Sequence, residues 1–274
     1  MAKAIQRPML LTSTSSTIMS AKPLASWTRR VLFFAALIAL WQVLTMLNIW
    51  PDYVLPGPLE VLGTLVTGIS SGVYLQASLT SLQRLAIGYG ISLVIGMILG
   101  ILIGRFRLME ETFGSLVLGL QALPSVCWLP LAILWFGLSE QAIIFVVVMG
   151  ALFSISLGVQ AGVKNTPPMY SRAARNMGAQ GIRLYAQVVL PAAFPAVLSG
   201  LKQGWTFAWR SLMAGELLYF TLSLGTLLES GRDLNDASQI IAVMLVIIFI
   251  GVMIDVLVFG PIERRVRVRW GLAP

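Results

Sequence analysis

Six apolar runs dominate this chain, and they are what most restricts how it folds. About 20 apolar residues suffice for a helix to cross the hydrocarbon core of a bilayer. Val31–Trp50 and Leu85–Gly104 are each twenty residues long and hold no charge. Thr112–Ser139 is uncharged but carries Pro124 and Pro130, and Gln141–Val163 is uncharged throughout. Ala196–Phe220 is interrupted by Lys202, Arg210 and Glu216, and Ile240–Gly260 by Asp255. The pattern predicts an all-α integral membrane protein with six transmembrane helices over residues 31–260.

Composition agrees. The chain is 57% hydrophobic and 11% charged, against about 25% charged for an ordinary soluble domain. The net charge of +8 does not point to nucleic acid, because the basic residues flank apolar runs instead of forming a patch interleaved with aromatics. There is no histidine, which removes histidine metal sites and histidine general bases. The single cysteine, Cys127, excludes an intrachain disulfide. No phosphate-binding GxxxxGK[ST] loop occurs, and none of the four lysines follows a glycine. Any ATP and Mg²⁺ therefore belong to another chain, and no cofactor is expected on this one.

Lysines and arginines orient the spans, since cytoplasmic loops carry their excess. With the N-terminus inside, sixteen of nineteen basic residues fall in cytoplasmic segments, leaving Arg84, Arg210 and Arg232. Both termini are then cytoplasmic. Residues 1–30 hold no acid and a Ser/Thr run, which reads as a disordered tail, a composition shared with organelle transit peptides. The first apolar run is too long for a signal-peptide core and stays as a span. Residues 164–195 form a cytoplasmic loop and residues 261–274 a basic cytoplasmic tail. Pro51–Thr80 lies outside, with a short surface helix at Pro58–Ser70, and so does Thr221–Gln239.

Three spans carry further information. The second places Gly88, Ser92, Gly96, Gly100 and Gly104 at spacing four. Such a small-residue face permits close backbone approach, either within the chain or at a seam between two copies. In the third, Pro124 and Pro130 kink or break the helix. A broken span is tolerated where it is buried or lines a cavity, which makes Gln121 and Ser125 candidate pathway residues, with a purely structural kink as the alternative. In the fifth, Arg210 lies roughly 22 Å along the helix at 1.5 Å per residue, too deep to be cheap unless it is paired or faces water. Arg210 and Glu216 are six residues apart, so they do not form an ordinary i,i+4 pair. Both are candidate pathway residues, and Arg210 attracts an anion or makes a structural ion pair. Lys202 snorkels from the inner end, and Asp255 lies within reach of the cytoplasmic arginines.

The loop is the most distinctive segment. Arg172–Pro191 reads RAARNMGAQGIRLYAQVVLP, polar and basic between apolar runs. Pro167 and Pro168 suit a helix start, a short helix follows over Met169–Met177, and Gly178 ends it with positive φ. A second short helix over Ile182–Val189 stops before Pro191, and Pro195 opens the fifth span. Two short helices at the membrane surface make a rigid lever for a soluble partner.

This loop resembles the EAA loop of ABC-importer permeases, whose spacing is E-A-A-x3-G-x9-I-x-L-P. Ala173, Ala174, Gly178, Val188, Leu190 and Pro191 fall on that spacing, and Arg172 stands where the family has glutamate. LPGP at Leu55–Pro58, SLQRLAIGY at Ser81–Tyr89, ALPSVCWLPLAILWFG at Ala122–Gly137 and ERRVRVRWG at Glu263–Gly271 resemble the nitrate/sulfonate/taurine branch, and aliphatic-sulfonate permeases most. The resemblance implies a type I importer fold in a bacterial inner membrane. It also implies two permease copies, two ATP-binding cassette ATPase subunits docked on the loop, and a periplasmic or lipoprotein substrate-binding protein. The implied substrate is a small oxyanion or sulfonate, with bicarbonate or another small molecule as the alternative. Two other classes are weighed. A self-sufficient secondary transporter or channel does not need the loop and commonly shows internal repeats, none of which occurs here. An intramembrane enzyme needs a catalytic constellation, and there is no histidine to build one.

Overall fold

A computed structural model describes residues 23–47, 49–51 and 53–271. Every regular element among the described residues is helical. The helices are α1 (Pro23–Met46), α2 (Pro58–Ser70), α3 (Val73–Arg105), α4 (Arg107–Gln121), α5 (Ser125–Phe136), α6 (Glu140–Lys164), α7 (Pro168–Asn176), α8 (Gly181–Glu216), α9 (Leu224–Asp233) and α10 (Ala237–Arg269). Among the described residues five helices are long and apolar enough to span a membrane, namely α1, α3, α6, α8 and α10, and the pair α4–α5, bent by 102° at its break, makes a sixth when counted as one broken span.

The described residues up to Ile49 and those from Trp50 onward form separate compact units. The first contains α1, none of whose described side chains is buried. The helix begins at Pro23, so residues 23–30 are helical rather than part of a disordered tail, because nothing after Pro23 breaks the run. The rest of the expected tail, residues 1–22 with Lys3, Arg7 and Lys22, lies outside the described residues.

In the second unit α6 is the central element, with more than half of its apolar stretch buried. It packs along α3 on one side and α8 on the other. Small residues make both contacts possible. A Cβ on Gly100 would lie 2.5 Å from the carbonyl oxygen of Ser156, and one on Gly88 2.6 Å from Val147. Ser92 donates to the Val148 carbonyl across the same seam at 3.2 Å. The spacing-four stripe of α3 is therefore an intramolecular seam, and the reading of it as a contact between copies falls. On the other side, a Cβ on Gly200 would come within 2.6 Å of Gly158 Cα. The bilayer gives no hydrophobic drive between helices, so such backbone approach supplies the packing.

Helix ends follow the sequence. Ser139 caps α6 by accepting from Ala142 N at 3.4 Å. Ser223 and Thr226 form a reciprocal capping box at the start of α9, and Asp236 caps α10 by accepting from Gln239 N at 2.9 Å. Helix α2 occupies the expected range. Residues 261–269 of the basic tail are helical and continue α10 through a π turn at Asp255–Phe259, and Val266 packs with Leu198 and Phe259. Residues 272–274 lie outside the described residues. Lys202 bonds Asp255 at 2.9 Å, lies 3.7 Å from Glu263, and ties α8 to α10. Asp255 thus has a lysine partner instead of the arginines expected for it.

Candidate functional site

The third span breaks where its sequence requires. Pro124 adopts φ −53°, ψ 134° and stops α4 from continuing. Pro130 sits in the first turn of the next α-helical segment, where a missing N–H costs little. The break lines a cavity of about 340 Å³ with Gln121, Ser125, Gly150, Ser154, Phe207 and Arg210 among its walls. Gln121 donates to Ser154 Oγ at 3.2 Å. Three of the four candidate pathway residues, Gln121, Ser125 and Arg210, are thereby brought to one cavity.

Arg210 is exposed on the isolated chain and makes no ion pair or hydrogen bond among the described residues. It terminates a polar stripe. Ser199, Gln203, Thr206 and Arg210 recur at spacings of four, three and four along one face of α8, and all four are exposed. Ser199 and Thr206 tie their hydroxyls back to the carbonyls of Pro195 and Lys202, as such residues do inside helices. A polar face ending in a guanidinium does not suit lipid. Ser199, Gln203 and Thr206 escaped the sequence reading, although their spacing was present in it.

Glu216 does not belong to this cavity. It is fully buried and accepts from Ser81 Oγ at 2.7 and 2.9 Å, from Arg84 at 3.0 Å and from Gly225 N at 3.1 Å. Arg84 continues the network to Glu140 at 2.9 Å and Thr221 at 2.5 Å, and lies over the Tyr219 ring. A fully buried carboxylate held by three donor groups, the Ser81 hydroxyl, the Arg84 guanidinium and Gly225 N, is not open to a passing solute. Glu216 is a structural residue clamping α3, α6, α8 and the start of α9. Its ion-pair partner in this chain is Arg84, not Arg210. Arg84 was the missed residue, and an unexplained arginine at the mouth of the second span was its signal.

In the segment between α6 and α8, α7 ends in a Schellman arrangement. Gly178 N donates to the Arg175 carbonyl at 3.0 Å and Ala179 N to the Ala174 carbonyl at 2.9 Å. Gly178 itself has φ +86°, the left-handed conformation that a side chain resists. The two alanines part company. Ala174 is buried in the chain's own core with Leu184, Val189 and Ala193, while Ala173 and Arg172 face outward. Val188 and Leu190 are half-buried and Pro191 is exposed. Met177 and Ile182, 88% and 84% exposed, stand on the same segment.

The second loop helix does not stop before Pro191. Tyr185–Val189 forms a π turn in which Leu190 N donates to the Tyr185 carbonyl, and α8 runs unbroken through Pro191 and Pro195 to Glu216. The wider turn absorbs the hydrogen bond that proline cannot make. Pro195 is thus inside the span and does not open it.

A multi-span helical domain with a broken span, a cavity carrying Gln121, Ser125 and Arg210, and a loop that runs straight into one span has the architecture of a membrane permease. The chain belongs to the family described as binding-protein-dependent transport system inner membrane component, whose profile matches residues 92–268; it is a transport component rather than an enzyme. The nitrate import permease protein NrtB of Leptolyngbya laminosa is 30% identical over 73% of this chain and 71% of its own. The taurine transport system permease protein TauC of Escherichia coli K12 is 27% identical over 84% of this chain and 86% of its own. A crystal structure of an amino acid ABC transporter with histidines superposes with a TM-score of 0.60 at 14% identity, covering 73% of this chain and 97% of that one. The fold is that of an ABC-importer permease.

Proposed function

We propose that this chain is the permease subunit of an ATP-driven importer of a small oxyanion or sulfonate, working as two copies in a bacterial inner membrane with both termini cytoplasmic. The observation that carries the anion reading is Arg210, a guanidinium without an ion pair among the described residues, at a cavity beside the broken span. In a low-dielectric passage a fixed positive charge attracts an anion far more strongly than it does in water. The nitrate named for one relative is an oxyanion and the taurine named for the other carries a sulfonate, and both support the same reading.

Two copies follow from the polar stripe of α8. Ser199, Gln203, Thr206 and Arg210 are exposed on one chain, and a second copy opposite would enclose them in a water-filled path. ATP and Mg²⁺ are held by separate ATPase subunits, and a substrate-binding protein delivers solute from outside. The ATPase grips the loop over residues 164–195, where Arg172, Ala173, Met177 and Ile182 are exposed. Because α8 is continuous from the loop to Arg210, it spans roughly 44 Å as one rod at 1.5 Å per residue. Movement of the loop then moves the wall of the path, which alternates between inward- and outward-facing states. The loop's Gly178, Val188, Leu190 and Pro191 set its shape.

The test is purification of the tagged chain from cells that express its transport operon. An ATPase subunit retained on the tag, with ATP-dependent uptake in proteoliposomes, is the expected result. Uptake by the chain alone, without ATP, would make it a self-sufficient transporter or channel instead.

A further inference from the structure

A second cavity, of about 360 Å³, lies between the inner end of α3 and the loop. Its walls include Arg105, Phe106, Arg175, Gln180 and Tyr185. The Arg105 guanidinium carbon sits 4.6 Å from the centre of the Tyr185 ring and 5.0 Å from that of Phe106. Stacking on aromatic faces fixes a guanidinium while leaving its edge N–H groups free to donate.

Neither arginine has a carboxylate among the described residues, and the acids near this end of the chain are already engaged. Glu110 pairs with Lys164, Glu111 with Arg107, Asp255 with Lys202, and Glu263 with Lys202 and Arg267. Residues 164–195 contain Lys164, Arg172, Arg175 and Arg183 and no acid at all. A second copy offers the same engaged acids. Among the described residues, no acid near this end is left to pair with either arginine, so a carboxylate from a chain of another kind would fit.

We infer that the Arg105–Arg175 cavity receives an acidic side chain of the ATPase subunit, an inference that rests on the loop being that subunit's docking surface. Two guanidiniums, one held by stacking, suit the planar carboxylate group. The contact would tie the ATPase to α3 as well as to the loop.

The experiment uses the complex of permease and cognate ATPase purified together in detergent at rising salt. Arg105→Glu with Arg175→Glu is expected to retain about tenfold less ATPase than wild type. Arg105→Gln with Arg175→Gln should fall between the two, and salt should loosen the wild-type complex. The Gln pair also serves if the Glu pair fails to insert, and full retention of ATPase by the Gln pair overturns the inference. Ala173→Trp, on the exposed face of the loop, separates the two levels. If it releases the ATPase while the arginine variants hold it, the docking reading stands and the cavity inference falls. If it too holds the ATPase, both fall. Loss of anionic phospholipid from the arginine variants, with ATPase retention unchanged, assigns the cavity to lipid headgroups and likewise overturns it.

Discussion

Arg84 and Glu216, 132 residues apart in sequence, meet at 3.0 Å with side chains 3% and 0% exposed. The pair joins the interior of α3 to the end of α8, and Ser81, Gly225 N, Glu140 and Thr221 complete it. Removing one partner of a buried pair leaves an uncompensated charge, at a cost of about 3–5 kcal/mol. Arg84→Ala and Glu216→Ala should each lower the thermal unfolding midpoint of the purified protein sharply. The double variant should be less unstable than the sum of the singles, since the two act as one unit. Midpoints equal to wild type in both single variants would show that the network does not hold the helices.

Backbone contacts between helices give a paired test at glycines. A Cβ at Gly100 meets the carbonyl oxygen of Ser156, which cannot move aside, whereas one at Gly90 meets nothing within 4 Å. Gly100→Ala should destabilise by about 1–3 kcal/mol through overpacking. Gly90→Ala should be neutral or stabilising by about 0.5–1 kcal/mol, because alanine suits a helix interior better than glycine. Chemical or thermal unfolding in detergent distinguishes them, and equal effects would refute the α3–α6 seam.

Gly178 is strained for any side chain because φ is +86°. In Gly178→Val the protein should still insert, yet ATP hydrolysis by the complex should no longer drive uptake. Parallel assays of hydrolysis and uptake on one preparation read this. Wild-type uptake by the variant would remove the loop from the mechanism.

Orientation is open to labelling. Asn235, exposed in the turn between α9 and α10, tolerates an inserted reporter better than Gly231, which is buried against Ile240. A reporter inserted after Asn235 should be active only outside the cell, and one fused after Pro274 only in the cytoplasm. Reversed labelling at either point would overturn the six-span arrangement.

What could be read from the sequence was local. Twenty-residue apolar runs marked the spans, Pro124 marked the break, and Gly178 marked the end of α7, because each property resides in a few adjacent residues. Long-range and compensated features were hidden. No periodicity connects Arg84 with Glu216. Pro191 looked like a helix stop because the π turn that accommodates it has no side-chain signature. Ser199, Gln203 and Thr206 are ordinary helix residues one at a time, and only their exposure on one face of α8 gives them meaning. Ala174 fell on the expected spacing, but spacing does not say which side of a short helix the core covers.

Arg210 is the residue on which anion passage depends, and uptake by Arg210→Gln tests that role most directly. In proteoliposomes containing the whole complex, with nitrate or taurine supplied by the cognate binding protein, the variant should assemble and hydrolyse ATP as wild type does. Uptake should fall by about tenfold or more, equivalent to ~1.4 kcal/mol, and Arg210→Lys should recover part of it because charge matters here more than fork geometry. Normal uptake by an assembled, ATPase-active Arg210→Gln complex would contradict the proposal and place Arg210 off the path.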